Sequence, residues 1–109
     1  MLEEMKVGEL LKIAQLFNKN ELTSTFYEVG KSYFIRTVTM HLIGKIKSIN
    51  QKEILLEKAS WIADSGRFHD ALKTGELNEV EPFINDVILN RDCIVDASEW
   101  NHKLPDVQK

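Results

Sequence analysis

The densest group of side chains able to do chemistry is the run Trp61-Ile62-Ala63-Asp64-Ser65-Gly66-Arg67-Phe68. Two aromatic rings, an arginine and a helix-start signal fall within these eight residues. A ring face beside a guanidinium is a common grip for a purine. Backbone N–H groups left free at a helix N-terminus attract anions such as phosphate, and Arg67 adjoins them in sequence. The bland reading uses the same residues: Trp61 and Phe68 in a core, Arg67 a solvated charge. The sequence leaves both open.

A second group is Asn90-Arg91-Asp92. A hairpin turn accounts for Asn90 and Asp92 without any function. Arg91 would then be displayed at a loop tip, beside an acid able to accept hydrogen bonds from ribose hydroxyls. Asn78 could read a base edge or a hydroxyl, or could simply start a strand. Arg36 interrupts an otherwise apolar strand face, so it is either paired with a carboxylate or placed at an interface.

Catalysis finds less support. His41, His69 and His102 lie far apart and lack metal-ligand spacing. His69 and Asp70 are helix neighbours that point in different directions, so they form no dyad. Motifs of zinc proteases, serine hydrolases, P-loops and dinucleotide folds are missing. Cys93, opening an apolar strand, reads as a small core residue rather than a nucleophile. Glu79 and Glu81, two apart on an extended segment, read as a solvated face. The expectation is a binding protein with no catalytic residues, no metal and no cofactor.

The elements that must position these residues follow from periodicity. Residues 2–19 read as a helix, with Leu10, Leu11, Ile13, Ala14, Leu16 and Phe17 on a wide apolar face that needs a partner. Residues 21–30 connect to a β-rich core. In residues 33–42 Phe34, Val38, Met40 and Leu42 are expected to face one way along one strand, which continues past a bend at Gly44 through residues 45–49. Asn50-Gln51-Lys52 is a turn, and residues 53–62 a further strand. Asp64-Ser65 reads as the cap of a short helix over residues 66–74, with Phe68, Ala71 and Leu72 as its apolar stripe and Gly75 as its stop. Pro82 demotes residues 76–83 to an edge or loop. Residues 87–89 and 93–100 close the sheet, and residues 101–109 read as a frayed tail. The expected fold class is mainly β (α+β): a small, strongly bent antiparallel sheet or barrel with an N-terminal helix and a short inserted helix.

Composition bounds the rest. The 109 residues make one domain, with residues 1–20 as helix and 31–100 as core. Hydrophobic residues are 43% and charged residues 28%, an ordinary globular balance. No apolar run is long enough to span a membrane, and Glu3 and Glu4 stand where a secretory signal carries positive charge. A single cysteine excludes an internal disulfide, which fits a reducing cytoplasm. Lys plus Arg total 14 against 17 for Asp plus Glu, a net charge of −3. That balance argues against a general nucleic-acid binder. The arginines are only Arg36, Arg67 and Arg91.

Two resemblances sharpen this. The order strand, Leu42-Ile43-Gly44, strand, Asn50-Gln51-Lys52, Ile54-Leu55-Leu56 is similar to the first half of an Sm-like barrel. Val87-Ile88-Leu89-Asn90-Arg91-Asp92-Cys93-Ile94 is similar to its closing half. That resemblance implies an RNA- or protein-interaction module. The chain departs from it in lacking the Arg/Lys-Gly of the closing motif and in inserting a helix within residues 60–83.

A fuller match runs through Tyr33-Phe34-Ile35-Arg36-Thr37-Val38-Thr39, Ala59-Ser60-Trp61-Ile62-Ala63-Asp64-Ser65-Gly66-Arg67-Phe68, Gly75-Glu76-Leu77-Asn78-Glu79-Val80-Glu81-Pro82 and Asn90-Arg91-Asp92. These segments resemble the phage-encoded Thoeris anti-defence sponge family. The resemblance implies binding, without cleavage, of cyclic ADP-ribose isomers made by TIR-domain immune enzymes. It implies a ligand held at a dimer interface, its adenine between an aromatic and an arginine, its riboses reached by asparagine and aspartate. Motif for motif, these fall on Phe68, Arg91, Asn78 and Asp92, with Arg67, Trp61 and Asn90 alongside. Some members resemble trimers of dimers with a second, arginine-lined site for cyclic oligonucleotides, for which Arg36 is the remaining arginine. A homo-oligomer in the host cytoplasm is the matching expectation.

Overall fold

The computed structural model describes residues 25–109. The expected helix over residues 2–19 lies outside them. The described chain runs β1 (Ser32–Thr37), β2 (His41–Ile49), β3 (Glu53–Asp64), α1 (Phe68–Thr74), β4 (Glu79–Pro82), β5 (Val87–Asn90), a 3-10 turn (Arg91–Cys93) and β6 (Ile94–Glu99). All pairings are antiparallel, in the order β4-β3-β2-β1-β6, with β5 also beside β3. The class is mainly β, a bent sheet with a short helix. The sheet stays open, with β6 along one edge and β4 and β5 along the other.

Its bend is built where Gly44 meets Ala59. A Cβ on Gly44 would lie 3.1 Å from the Ala59 Cβ and 3.2 Å from the Leu56 Cβ. The β2–β3 register shifts across this point, and Lys58 takes φ +50°. Such a bulge turns the strand and re-aims its side chains. Ile54, Leu56 and Ala59 therefore join Tyr33, Ile35, Leu42 and Ile46 in one core. Ile62, beyond the bulge, joins Phe34, Ile43, Val80 and Trp100 in a second. Tyr33, Phe34 and Ile35 are consecutive and all buried, because β1 has a core on each face. Burying a side chain such as Phe34 contributes about 1.5–3 kcal/mol.

Four expectations are corrected. Residues 33–42 are not one strand: the chain reverses after Thr37, and Arg36 pairs with His41. Val38 and Met40 lie exposed in the turn rather than beside Phe34. Thr37 makes this turn without glycine or proline. Its hydroxyl accepts from the N–H groups of Thr39 and Met40 and donates to the Met40 carbonyl at 2.8 Å. The helix starts at Phe68 rather than residue 66, because Asp64 spends its Oδ1 on the Gly66 N–H at 2.8 Å, closing a turn ahead of the helix. Asn90-Arg91-Asp92 is not a hairpin: the 3-10 turn carries the chain from β5, on β3, to β6, on β1.

The fourth correction is the tail, which packs rather than frays. Trp100 is buried against Phe34. The His102 ring nitrogen Nε2 bonds the Leu72 carbonyl at 2.7 Å, answering one of the open carbonyls at the end of α1. Gly75, at φ +80°, closes α1 with its N–H on the Ala71 carbonyl. A Cβ there would meet His102 Cγ at 2.6 Å, so this glycine is required both for its backbone and for the tail. Lys109 exchanges two backbone hydrogen bonds with Val80 on the outer edge of β4. Among the described residues no helix is long and apolar enough to cross a membrane.

Candidate functional site

Arg36 is the centre of the half-exposed polar cluster on the Phe34 face. β1 places it two residues from Phe34, hence on the same face. Its cross-strand neighbours are His41 on β2 and Asp96 on β6. Arg36 Nε donates to Asp96 Oδ1 at 2.8 Å, and Nη2 donates to Oδ2, a two-pronged pair. Helix α1 then lays Phe68 beneath the guanidinium, whose carbon lies 4.6 Å from the ring centre. Phe68 is itself set by Phe34, edge-to-face at 5.4 Å, and Phe34 also meets the His41 ring at 5.6 Å.

The electrostatics follow from this geometry. The hydrogen bond from Arg36 holds the Asp96 carboxyl below its ordinary value of 3.8; partial desolvation opposes it, and the charges of Arg36 and His41 add to it. Arg36 is raised in turn, first by the hydrogen bond to Asp96. The result is a guanidinium fixed over the Phe68 ring by two hydrogen bonds, with the Asp96 carboxylate beside it. Such a surface can stack a base and accept hydroxyl hydrogen bonds.

The structure thus brings together Phe68 and Arg36 of the expected residues. Arg67 precedes Phe68 and is exposed, its backbone extended ahead of the helix. α1 has seven residues, and Arg67 gives it no side-chain cap. Trp61 pairs with Leu42, so it points to the face opposite Ile62 and Phe68, where it is 42% exposed. Asn78 props the turn before α1. Its backbone N–H donates to the Asp64 carbonyl at 3.0 Å, and its side chain sits against Gly66.

Arg91 lies on the other face of the sheet. Its Nη1 donates to the Asn50 carbonyl at 2.7 Å, its N–H donates to the Lys52 carbonyl, and its guanidinium lies 5.7 Å from the Tyr27 ring centre. Tyr27 packs on Tyr33, the neighbour of Phe34 on the reverse face of β1. Asn90 caps the 3-10 turn by accepting from the Asp92 N–H, and Asp92 is exposed. Within one chain, therefore, Phe68 and Arg91 serve opposite faces.

Asp96 and His41 are the site residues that sequence reasoning passed over. The signal was Arg36 itself: a charge on an apolar strand face needs a cross-strand partner, and only the register names it. Among the described residues no three His, Cys, Asp or Glu side chains gather as a metal site. The chain matches no known family model, and no curated protein or solved structure matches it.

Proposed function

We propose that the chain is a non-enzymatic binding protein for a compact anionic purine nucleotide of the cyclic ADP-ribose type. It acts by sequestration, as the sponge resemblance implies, and Arg36, Phe68, Asp96 and His41 form its base-binding face. The observation that carries this reading is the guanidinium held over Phe68 while Asp96 grips its N–H groups. At 4.6 Å the two leave no room for a ring between them, because stacked layers need about 3.5 Å each. The base therefore stacks on the outer face of the guanidinium, and Arg36 takes the role that the resemblance gave to Arg91. Asp96 accepts from ribose hydroxyls, and Arg67 supplies charge for a phosphate. A cyclic ligand loses little conformational freedom on binding, so a small site can reach nanomolar affinity, about −12 kcal/mol. A homo-oligomer in the cytoplasm of a phage host belongs to the same proposal.

The test is calorimetry of the full chain with cyclic ADP-ribose isomers, followed by recovery of the ligand after heat denaturation. Tight binding with intact ligand is expected. Adenine-nucleotide products would make the protein a hydrolase instead, and absence of binding would end the nucleotide reading.

One observation favours a second reading, the Sm-like interaction module. β5 and β6, joined by the 3-10 turn, return to β3 and β1, so the opening and closing segments of that resemblance share one curved sheet. This reading expects salt-sensitive binding to single-stranded RNA and none to cyclic nucleotides.

A further inference from the structure

A cavity of about 720 Å³ opens at the sheet edge, between the middle of β3, the β4–β5 loop and the C-terminal tail. It lies where the edge is interrupted. β5 pairs with β3 as far as Leu56, and β4 pairs with it from Ser60 onward. In the gap, Ala59 is met through its carbonyl by the Phe83 N–H at 2.9 Å. Lys58 sits at the centre of the gap in a left-handed backbone, φ +50°, which non-glycine residues seldom hold. Strain of this kind collects where a side chain must be aimed.

The lining selects a ligand. Phe83 and Leu104 provide apolar lining, and Ile84, 95% exposed, adds a free apolar side chain beside them. Three carboxylates also line the cavity, and each has a lysine of its own. Glu57 pairs with Lys45 at 3.9 Å, Asp86 with Lys47 at 3.0 Å and Asp106 with Lys103 at 3.7 Å. Lys58 is the lining charge with no ion-pair partner among the described residues. With each of these carboxylates beside a lysine, Lys58 is the lining charge left to meet a ligand.

We propose that this cavity binds an amphipathic organic monoanion, a small carboxylate or sulfonate with an apolar body. Its charge pairs with Lys58 and its body lies along Phe83, Ile84 and Leu104. The volume suits a small molecule, for which pockets run about 300–1,000 Å³. The site shares no residue with the Arg36 face, so the two stand or fall separately.

The test uses 8-anilinonaphthalene-1-sulfonate on the full chain, with decanoate and decanol as competitors. Expected is saturable binding of one probe per chain, displaced by decanoate and not by decanol. Lys58→Met keeps the apolar stem and removes the charge, and should weaken binding about tenfold, the value of one charge-assisted hydrogen bond. Lys58→Arg should retain it. Circular dichroism and melting check that each variant folds. Equal binding by Lys58→Met, equal displacement by decanol, or several probes per chain would each overturn the proposal. So would failure to bind combined with an oligomer that Ile84→Asp dissociates in sedimentation, because the groove would then be an interface between copies.

Discussion

Arg91 clasps the turn at Asn50: its Nη1 donates to the Asn50 carbonyl at 2.7 Å across 41 residues of sequence. The Asn50 side chain meanwhile closes its own turn, accepting from the N–H groups of Lys52 and Glu53. Two turns that the sequence marks separately are thus one assembly. Arg91→Ala should lower the denaturant midpoint by an amount equivalent to about 1–2 kcal/mol, because carbonyls adapted to a cation lose it. Calorimetry with a cyclic ADP-ribose isomer should show affinity little changed. A variant of full stability that no longer binds would return Arg91 to the ligand.

Phe68 and Arg36 should behave in the opposite way. Phe68→Ala removes the platform under the guanidinium and should cost about 0.5–2 kcal/mol of nucleotide binding, the worth of the cation–π contact that holds Arg36 in place. Some stability goes with it, since the ring also packs on Phe34. Arg36→Lys separates the two effects. It keeps the charge but loses the planar fork that meets both Asp96 oxygens and the ring. The melting temperature should move little while binding falls tenfold or more. If the nucleotide binds Arg36→Lys as tightly as the parent, the base-binding face lies elsewhere.

The Arg36–Asp96 pair also predicts a pH effect. The Asp96 carboxyl is depressed in the folded chain, chiefly by its hydrogen bond to Arg36, so the unfolded chain binds this proton more readily. The pair therefore stabilises the fold above the ordinary carboxylate range near 3.8 and loses that contribution as pH falls through the lower folded value. Acid unfolding curves of the parent and Asp96→Asn should converge below that range and separate above it, with the gap narrowing in high salt because both groups are half exposed. Parallel curves throughout would show that the pair contributes nothing.

Local chemistry was legible in the sequence and long-range register was not. Gly44 in a strand pattern announced the bend, and Gly75 announced the end of α1, because each residue type is forced by its own surroundings. Pro82 marked an edge strand for the same reason. The Thr37 turn was missed because a threonine hydroxyl did what glycine or asparagine usually advertises. Arg36 was flagged, yet its choice between a partner and an interface needed β6, which arrives 60 residues later. Arg91 misled for a related reason: a turn arginine looks displayed until the carbonyls it clasps are known. The tail reads as frayed from its terminal position alone, and its hold on α1 rests on one histidine fitting against one glycine.

The bend itself can be tested at Gly44. A methyl group there would sit 3.1 Å from the Ala59 Cβ and 3.3 Å from its Cα, with Leu56 Cβ at 3.2 Å. These contacts are strand on strand, where no flexible side chain can move aside. Gly44→Ala should therefore destabilise by about 1–3 kcal/mol, the usual cost of overpacking. Ala59→Gly alone should also destabilise, through the cost of a flexible residue in a strand. Combined, the two changes should recover part of the Gly44→Ala loss, because the second removes the atom that the first strikes. Strict additivity in a double-mutant cycle would show that the close approach of β2 to β3 at Gly44 does not set the bend.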